Sequence, residues 1–282
     1  WEILVVDNNS SGGTSAVLTQ LASEPGVRVR VVKEPVQGIV HARNRAVAES
    51  LKSDYLLFMD DDELPASDGM LQAAVNALRD DGASCVGGRI SIGFEPVERP
   101  AWLGDELLRF LGRLDYGSEP FWIRSESTPV WSGIVAYRTK IFKDDPTLRF
   151  DRRFNRAGHG IGGGEDQMMF LELLRRGVPI RYQPAMEVIH FIEPFKLKRR
   201  YFIKLHYLSG VRFGRYESGP MPMTVCGVPP YMVRQSCQYL IDACMRYVRR
   251  EKKALRHGMI FSYSLGAIYG RFQYWKDMRT QN

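Results

Sequence analysis

A chain of 282 residues, 44% hydrophobic and 25% charged, has ample apolar material for a packed core and fits one large domain or a domain with an appendage. That balance excludes a disordered or fibrous chain. No apolar run approaches the roughly 18 residues of a membrane-spanning helix, because the nearest, 259–269, is broken by Ser262, Ser264 and Gly266.

The net charge of +7 is unevenly placed. Most acids precede residue 170, whereas the tail holds Lys196, Lys198, Arg199, Arg200 and Lys204, then Arg246, Arg249, Arg250, Lys252 and Lys253. Cys85, Cys226, Cys237 and Cys244 show no CxxC spacing, which argues against a zinc site and fits a reducing, cytoplasmic compartment.

In chain order, residues 2–6 predict a short apolar strand that runs into the polar, Gly-bearing loop 7–14 and then a helix over 16–21. The chain starts at Trp1 and enters this strand at once, which reads as a fragment whose first element is missing. Residues 27–32 alternate as a strand does, 39–51 predict a helix, and 55–59 a second buried strand. A helix over 68–80 and a strand over 83–92 continue the alternation, the rhythm of a mostly parallel sheet with crossover helices. The middle is less regular: 102–114 has a helical apolar pattern, 116–129 reads as loop and 130–138 as strand. A glycine-rich stretch then leads to a helix over 165–176, closed by Gly177, and a strand over 180–191. Basic, aromatic helices are predicted over 196–215 and 231–256.

The chain is organised around residues 55–65. Five apolar residues are followed by Asp60-Asp61-Asp62-Glu63, and Pro65 stops continued pairing. Like charges this close are costly to bury unless a cation neutralises them. At the carboxyl end of a central strand they would lie where open α/β sheets bind ligands, and oxygen donors on a short turn suit Mg²⁺ or Mn²⁺ holding a substrate phosphate. The plainer alternative is a solvated acidic loop.

Four motifs, in order and at matching intervals, resemble the family-two glycosyltransferases of the GT-A fold. They are Ile3-Leu4-Val5-Val6-Asp7-Asn8-Asn9-Ser10 with Gly13-Thr14; Gly38 with Ala42-Arg43-Asn44; Asp60-Asp61-Asp62; and Gly163-Gly164-Glu165-Asp166. The likeness covers residues 1–191. It implies an α/β, Rossmann-like GT-A catalytic domain over 1–195, with a mostly parallel central sheet flanked by helices and a basic helical extension over 196–282.

The resemblance implies roles for particular residues. Asp7 and Asn9 fall at the nucleobase side of the donor site, the alternative for Asp7 being an Asx turn or helix cap. Arg43 offers a fork of donors to base or phosphate oxygens, or is a surface arginine on an amphipathic helix. Asp60 contacts ribose or base, Asp61 shares that side or points away, and Asp62 is the direct metal ligand, with His190 as a further ligand or a mere strand histidine. Asp166 is the general base and Glu165 orients a neighbour, unless both acids only complement a helix N-terminus. Trp131, Gly133 and Gly164 lie on the acceptor side, Trp131 able to stack on a sugar or to pack in the core. Gly158, Gly160, Gly162, Gly163 and Gly164 would let a loop close over the donor.

The reading is an inverting glycosyltransferase with a nucleotide-sugar donor, UDP-linked being the family's commonest case, a glycan or lipid-linked acceptor, and Mg²⁺ or Mn²⁺. The basic tail would rest peripherally on the inner face of the membrane, or form a solvated cap. Two rivals are a nucleotidyltransferase-like metal enzyme, which lacks support from any basic Gly-rich phosphate loop, and a basic nucleic-acid-binding module, for which no RNP-like or helix-turn-helix pattern is present. Nucleic acid is therefore not an expected partner.

Overall fold

The computed structural model describes residues 1–26, 28–156 and 163–280. Two compact units emerge, one of Trp1–Gly93 with Gly112–Phe191, the other of Phe94–Leu111 with Ile192–Asn282.

The first unit opens with β1 (Ile3–Asp7) and β2 (Val29–Lys33), a parallel pair connected through α1 (Thr14–Ser23). Next come α2 (Ile39–Glu49), β3 (Tyr55–Met59), the acidic turn, and the three-residue β4 (Glu63–Pro65). α3 (Met70–Arg79) buries Met70, Ala74, Ala77 and Leu78, the one-sided spacing of a helix laid on a sheet, and leads to β5 (Cys85–Gly93). After α4 (Asp105–Leu108) of the second unit, the chain returns as β6 (Phe121–Ile123), β7 (Ile134–Arg138) and α5 (Lys140–Asp144). α6 (Glu165–Arg175) and β8 (Ile180–Phe191) complete the unit. α6 ends as its sequence predicts: Gly177 takes φ 68° and donates to the Leu174 carbonyl at 2.9 Å.

The larger sheet runs β3-β7-β5-β8-β4, with β6 also paired to β8. Here the strand directions differ from the mostly parallel sheet that the rhythm predicts. β5 and β8 are parallel, but β7 is antiparallel to both β3 and β5, and β4 and β6 are antiparallel to β8. β3, β5 and β8 thus keep the common direction that helical crossovers favour, and the mixed character comes from β7 inserted between them and from two short strands. β3 itself lies at the end of this path and not at its centre. Pro65 does pair, with Val188, because β4 occupies the other end, where a missing N–H is tolerated. β4 and β6, three residues each, are too short to carry a period, and the helical pattern over 102–114 yields only α4 and one 3₁₀ turn, Arg109–Leu111.

The core of this unit lies between the sheet and its helices, around Val86, Ile134, Phe150, Phe170, Leu173, Tyr182 and Val188. Each such large apolar side chain contributes about 1.5–3 kcal/mol when fully withdrawn from water.

In the second unit, Phe94–Leu111 clusters with α7 (Arg199–Arg212), α8 (Pro230–Val248) and α9 (Ala254–Thr280). Trp102 packs edge-on against Phe202 at 5.7 Å, and Phe110 against His206 at 4.6 Å. α7 and α9 touch backbone to backbone: a Cβ on Gly210 would lie 2.0 Å from the Tyr263 carbonyl oxygen, and one on Gly266 2.0 Å from that of Tyr207. The helix predicted over 231–256 is two helices, broken after Val248, where Arg250 takes φ 53°. No helix among the described residues is long and apolar enough to cross a membrane.

Candidate active site

Arg43 joins the motifs that lie far apart in sequence. It sits on α2 with its side chain only 7% exposed, beneath three carboxylates, one from the acidic turn and two from α6. Its Nη1 donates to Glu165 Oε1 at 2.8 Å and to Asp166 Oδ1, and its Nη2 reaches Asp60 Oδ1 at 3.5 Å. The Phe150 ring lies 5.7 Å from its guanidinium carbon, and Asn44 holds that segment by exchanging two 2.9 Å bonds with the Phe150 backbone. Asn44 is therefore a clamp for the wall against which Arg43 rests.

The start of α2 is fixed just as tightly. Asn8 Oδ1 accepts from the Gly38 N–H at 2.6 Å, while its Nδ2 donates to the carbonyls of Glu34 and Val36. Gly38 has φ 136°, and a Cβ there would stand 2.1 Å from Asn155 Oδ1, so no side chain fits. Asn8 thus ties the loop after β1 to the helix that carries Arg43.

On the acidic turn, Asp61 points to solvent while Asp60 and Asp62 are partly covered. Glu63 is buried, and its Oε2 accepts the Asp60 N–H at 3.1 Å. Gly133 makes room for it: a Cβ at that position would come within 2.5 Å of Glu63 Oε1. Ser132, between Trp131 and Gly133, donates to Asp166 Oδ1 at 2.7 Å. Trp131 itself packs partly buried against the core. The sequence assigns Ser132 and Glu63 no role of their own, Glu63 standing only as the last acid of its run and Ser132 only between Trp131 and Gly133. Gly164, at φ 117°, precedes α6 and donates to Glu165 Oε2 at 2.9 Å.

Burial dominates the electrostatics. It pushes the Glu63 carboxyl up to about 7, with Asp60 adding to the effect. Burial also raises Asp60, against the pull of Arg43, and raises Glu165, helped by neighbouring Asp166. For Arg43, burial disfavours the charge, but Asp166, Asp60 and Glu165 together outweigh it and hold the guanidinium firmly protonated.

Asp62 Oδ2 and His190 Nε2 stand 3.1 Å apart, brought together because β4 pairs with β8 in the register Glu63–His190. No group of three His, Cys, Asp or Glu among the described residues is arranged to hold a metal by itself. Two adjacent donors fit a Mg²⁺-like cation, which takes the rest of its shell from phosphate and water. Asp7 accepts the N–H of Ser10, three residues on, at 3.0 Å, a local loop bond one residue longer than an Asx turn, and the bond lowers its pKa. Asn9, exposed at φ 57°, and Asp7 make no described hydrogen bond to Arg43, Asp60 or Asp166. Gly158, Gly160 and Gly162 lie outside the described residues.

Comparison with solved structures defines the class. Over 96% of its length the chain follows the mannosyltransferase PcManGT from Pyrobaculum calidifontis, solved with GDP-Man and Mn²⁺, at a TM-score of 0.51 and 16% identity over 64% of that chain. Over 79% it follows GalNAc-T7, solved with UDP, GalNAc and Mn²⁺, at a TM-score of 0.50 and 17% identity over 46% of that chain. The fold is the GT-A fold of glycosyltransferases. Residues 1–145, more than half of the chain, match the family described as glycosyl transferase family 2, and the chain belongs to that family. It is 26% identical over 215 residues to the succinoglycan biosynthesis protein ExoM of Rhizobium meliloti (strain 1021), a match covering 76% of this chain and 64% of ExoM. The match therefore spans less than two thirds of that relative's length.

Proposed function

We propose that this chain transfers a sugar from a nucleotide-diphosphate sugar to a glycan or lipid-linked acceptor, in a single displacement that inverts the anomeric centre. The observation that supports this best is the Arg43 fork, which gathers Asp60 of the acidic turn and Glu165–Asp166 of α6 around one guanidinium. A donor-side turn and an acceptor-side base must share one site for a direct displacement.

Asp166 is the proposed base. Its side chain is 24% exposed against 6% for Glu165, so it is the acid that an acceptor can reach. Its described bonds, from Arg43 and Ser132, both fall on Oδ1. Oδ2 is then the oxygen that takes the acceptor hydroxyl proton as that hydroxyl attacks the anomeric carbon and the bond to the diphosphate breaks. Arg43 and Ser132 position the carboxylate, and Glu165 fixes Arg43 and the turn at Gly164. Asp7 and Asn9 receive the nucleobase, Asp60 the ribose, and Trp131 and Gly133 border the acceptor. A divalent cation, Mg²⁺ or Mn²⁺, would be held by Asp62 and His190, and when bound it supplies charge stabilisation to the departing nucleotide diphosphate.

Calorimetric titration of UDP, GDP and a DNA oligonucleotide, each with and without Mn²⁺, tests the reading. Metal-dependent binding of one nucleotide is expected. Binding of the oligonucleotide alone, lost with salt, would replace the transferase reading with a polyanion binder.

A further inference from the structure

α8 is anchored along one side only. Met232 and Ser236 are buried, Ser236 Oγ lies 2.9 Å from Ser264 Oγ of α9, and Asp242 pairs with His257. The opposite side carries Val233, Cys237, Leu240, Ile241, Cys244 and Val248, a helical spacing of apolar residues that all face solvent. Leu240 is 42% exposed, Ile241 58% and Val248 79%, and Met245 and Tyr247 widen the strip. At 3.6 residues per turn these side chains fill an arc of ~160°, interrupted only by the exposed Arg234. Just beyond the end of the strip, Arg249, Arg250, Lys252 and Lys253 are exposed, and no ion pair is described for any of them.

We infer that this face of α8 docks on an anionic lipid bilayer. An aliphatic strip gains by leaving water, and four cations beside it select a surface of negative headgroups, the pairing that holds interfacial helices at membranes. A second copy docked through the same strip would add four more cations at its edge, whereas anionic headgroups neutralise them. The strip lies across the helix surface and not along its whole circumference, so the helix would lie in the plane of the interface. The inference stands on α8 and its flanking cations, and does not depend on the proposed transfer chemistry.

The test is co-sedimentation of the full chain with phosphatidylcholine vesicles, with and without phosphatidylglycerol. Anionic vesicles should be preferred about tenfold or more, because the four cations gain only beside negative headgroups. Ile241→Asp should weaken binding about tenfold or more by placing a charge in the strip, and Lys252→Glu/Lys253→Glu should abolish the preference for anionic lipid. All three substituted positions are exposed, so circular dichroism should remain that of the parent. A second readout uses Cys244: with Cys226→Ser and Cys237→Ser, an environment-sensitive dye on Cys244 should shift its emission to the blue on anionic vesicles. Absence of vesicle binding, binding that leaves the dye in water, or a dimer in solution that Ile241→Asp dissociates without any vesicle binding would each overturn the inference.

Discussion

Replacing Arg43 with methionine keeps an unbranched, shorter stem and removes the charge on which three carboxylates converge. The structure ranks their shares. Asp60, with its side chain 45% exposed and 3.5 Å away, makes the longest of the three contacts but still adds to the pull on the guanidinium. Glu165, 6% exposed and 2.8 Å away, is the most buried partner, and Asp166 pulls hardest on the guanidinium. Removing one member of a buried pair costs about 3–5 kcal/mol, because the other charge stays behind.

Protonation limits that cost, and the limit depends on pH. Burial and Asp166 already raise the Glu165 carboxyl, and loss of Arg43 would raise it further. A carboxyl with a raised pKa in the fold binds more protons folded than unfolded, so its penalty is full at high pH and fades as pH falls toward the unfolded value. Holding one glutamate protonated against an unfolded pKa of about 4.3 costs about 5 kcal/mol at pH 8 and about 1 kcal/mol at pH 5. The expected destabilisation is therefore about 3–5 kcal/mol at pH 8, shrinking to about 1–2 kcal/mol at pH 5. Urea unfolding in EDTA at both pH values, each referred to the unaltered protein, measures it. Arg43→Lys keeps the charge without the fork and should lose about 1–2 kcal/mol at pH 8, which preserves the test if Arg43→Met does not fold. A loss under about 1 kcal/mol at pH 8, or equal losses at the two pH values, would refute the picture of buried carboxylates compensated by Arg43.

Asp166→Asn should lower transfer about 10²–10⁴-fold while nucleotide affinity stays within a few-fold; equal loss of both would move Asp166 into the donor site. Asp62→Ala should remove the effect of Mn²⁺ on nucleotide affinity measured by calorimetry, with His190→Ala acting in the same direction, and a metal effect unchanged in Asp62→Ala would rule out its ligand role. Gly133→Ala should push the Glu63 carboxylate from its place under the Asp60 N–H, lowering stability by about 1–3 kcal/mol in thermal unfolding together with nucleotide affinity. An alanine variant with unchanged melting and binding would show that Glu63 has room to move.

The strands β1, β3, β5 and β8 and the helices α2, α3 and α6 are legible in the sequence, because each is long enough for its apolar period to repeat and is bounded by glycine, proline or a charged turn. β4 and β6 are not, since three residues carry no period, and the break between α8 and α9 is hidden because its residues are good helix formers that turn only at Arg250. The sites behave likewise. Asp60, Asp62, Glu165 and Asp166 announce themselves as runs of acid beside apolar segments. Ser132 and Glu63 do not, one being a small polar residue and the other the last member of an acidic run that appears solvated.

By itself, then, the sequence determined the longer strands and helices, which acids cluster, and the family whose motifs these are, all matters of local period and spacing. Only the tertiary structure decided that β7 runs antiparallel between β3 and β5, that His190 meets Asp62, and that Arg43 binds both acidic motifs at once. Those outcomes depend on strand order and register between residues far apart in sequence, as in the 122-residue interval from Arg43 to Glu165, and no local pattern encodes such a pairing. Hydrophobic burial chooses it globally, and the polar contacts follow from the register that burial selects.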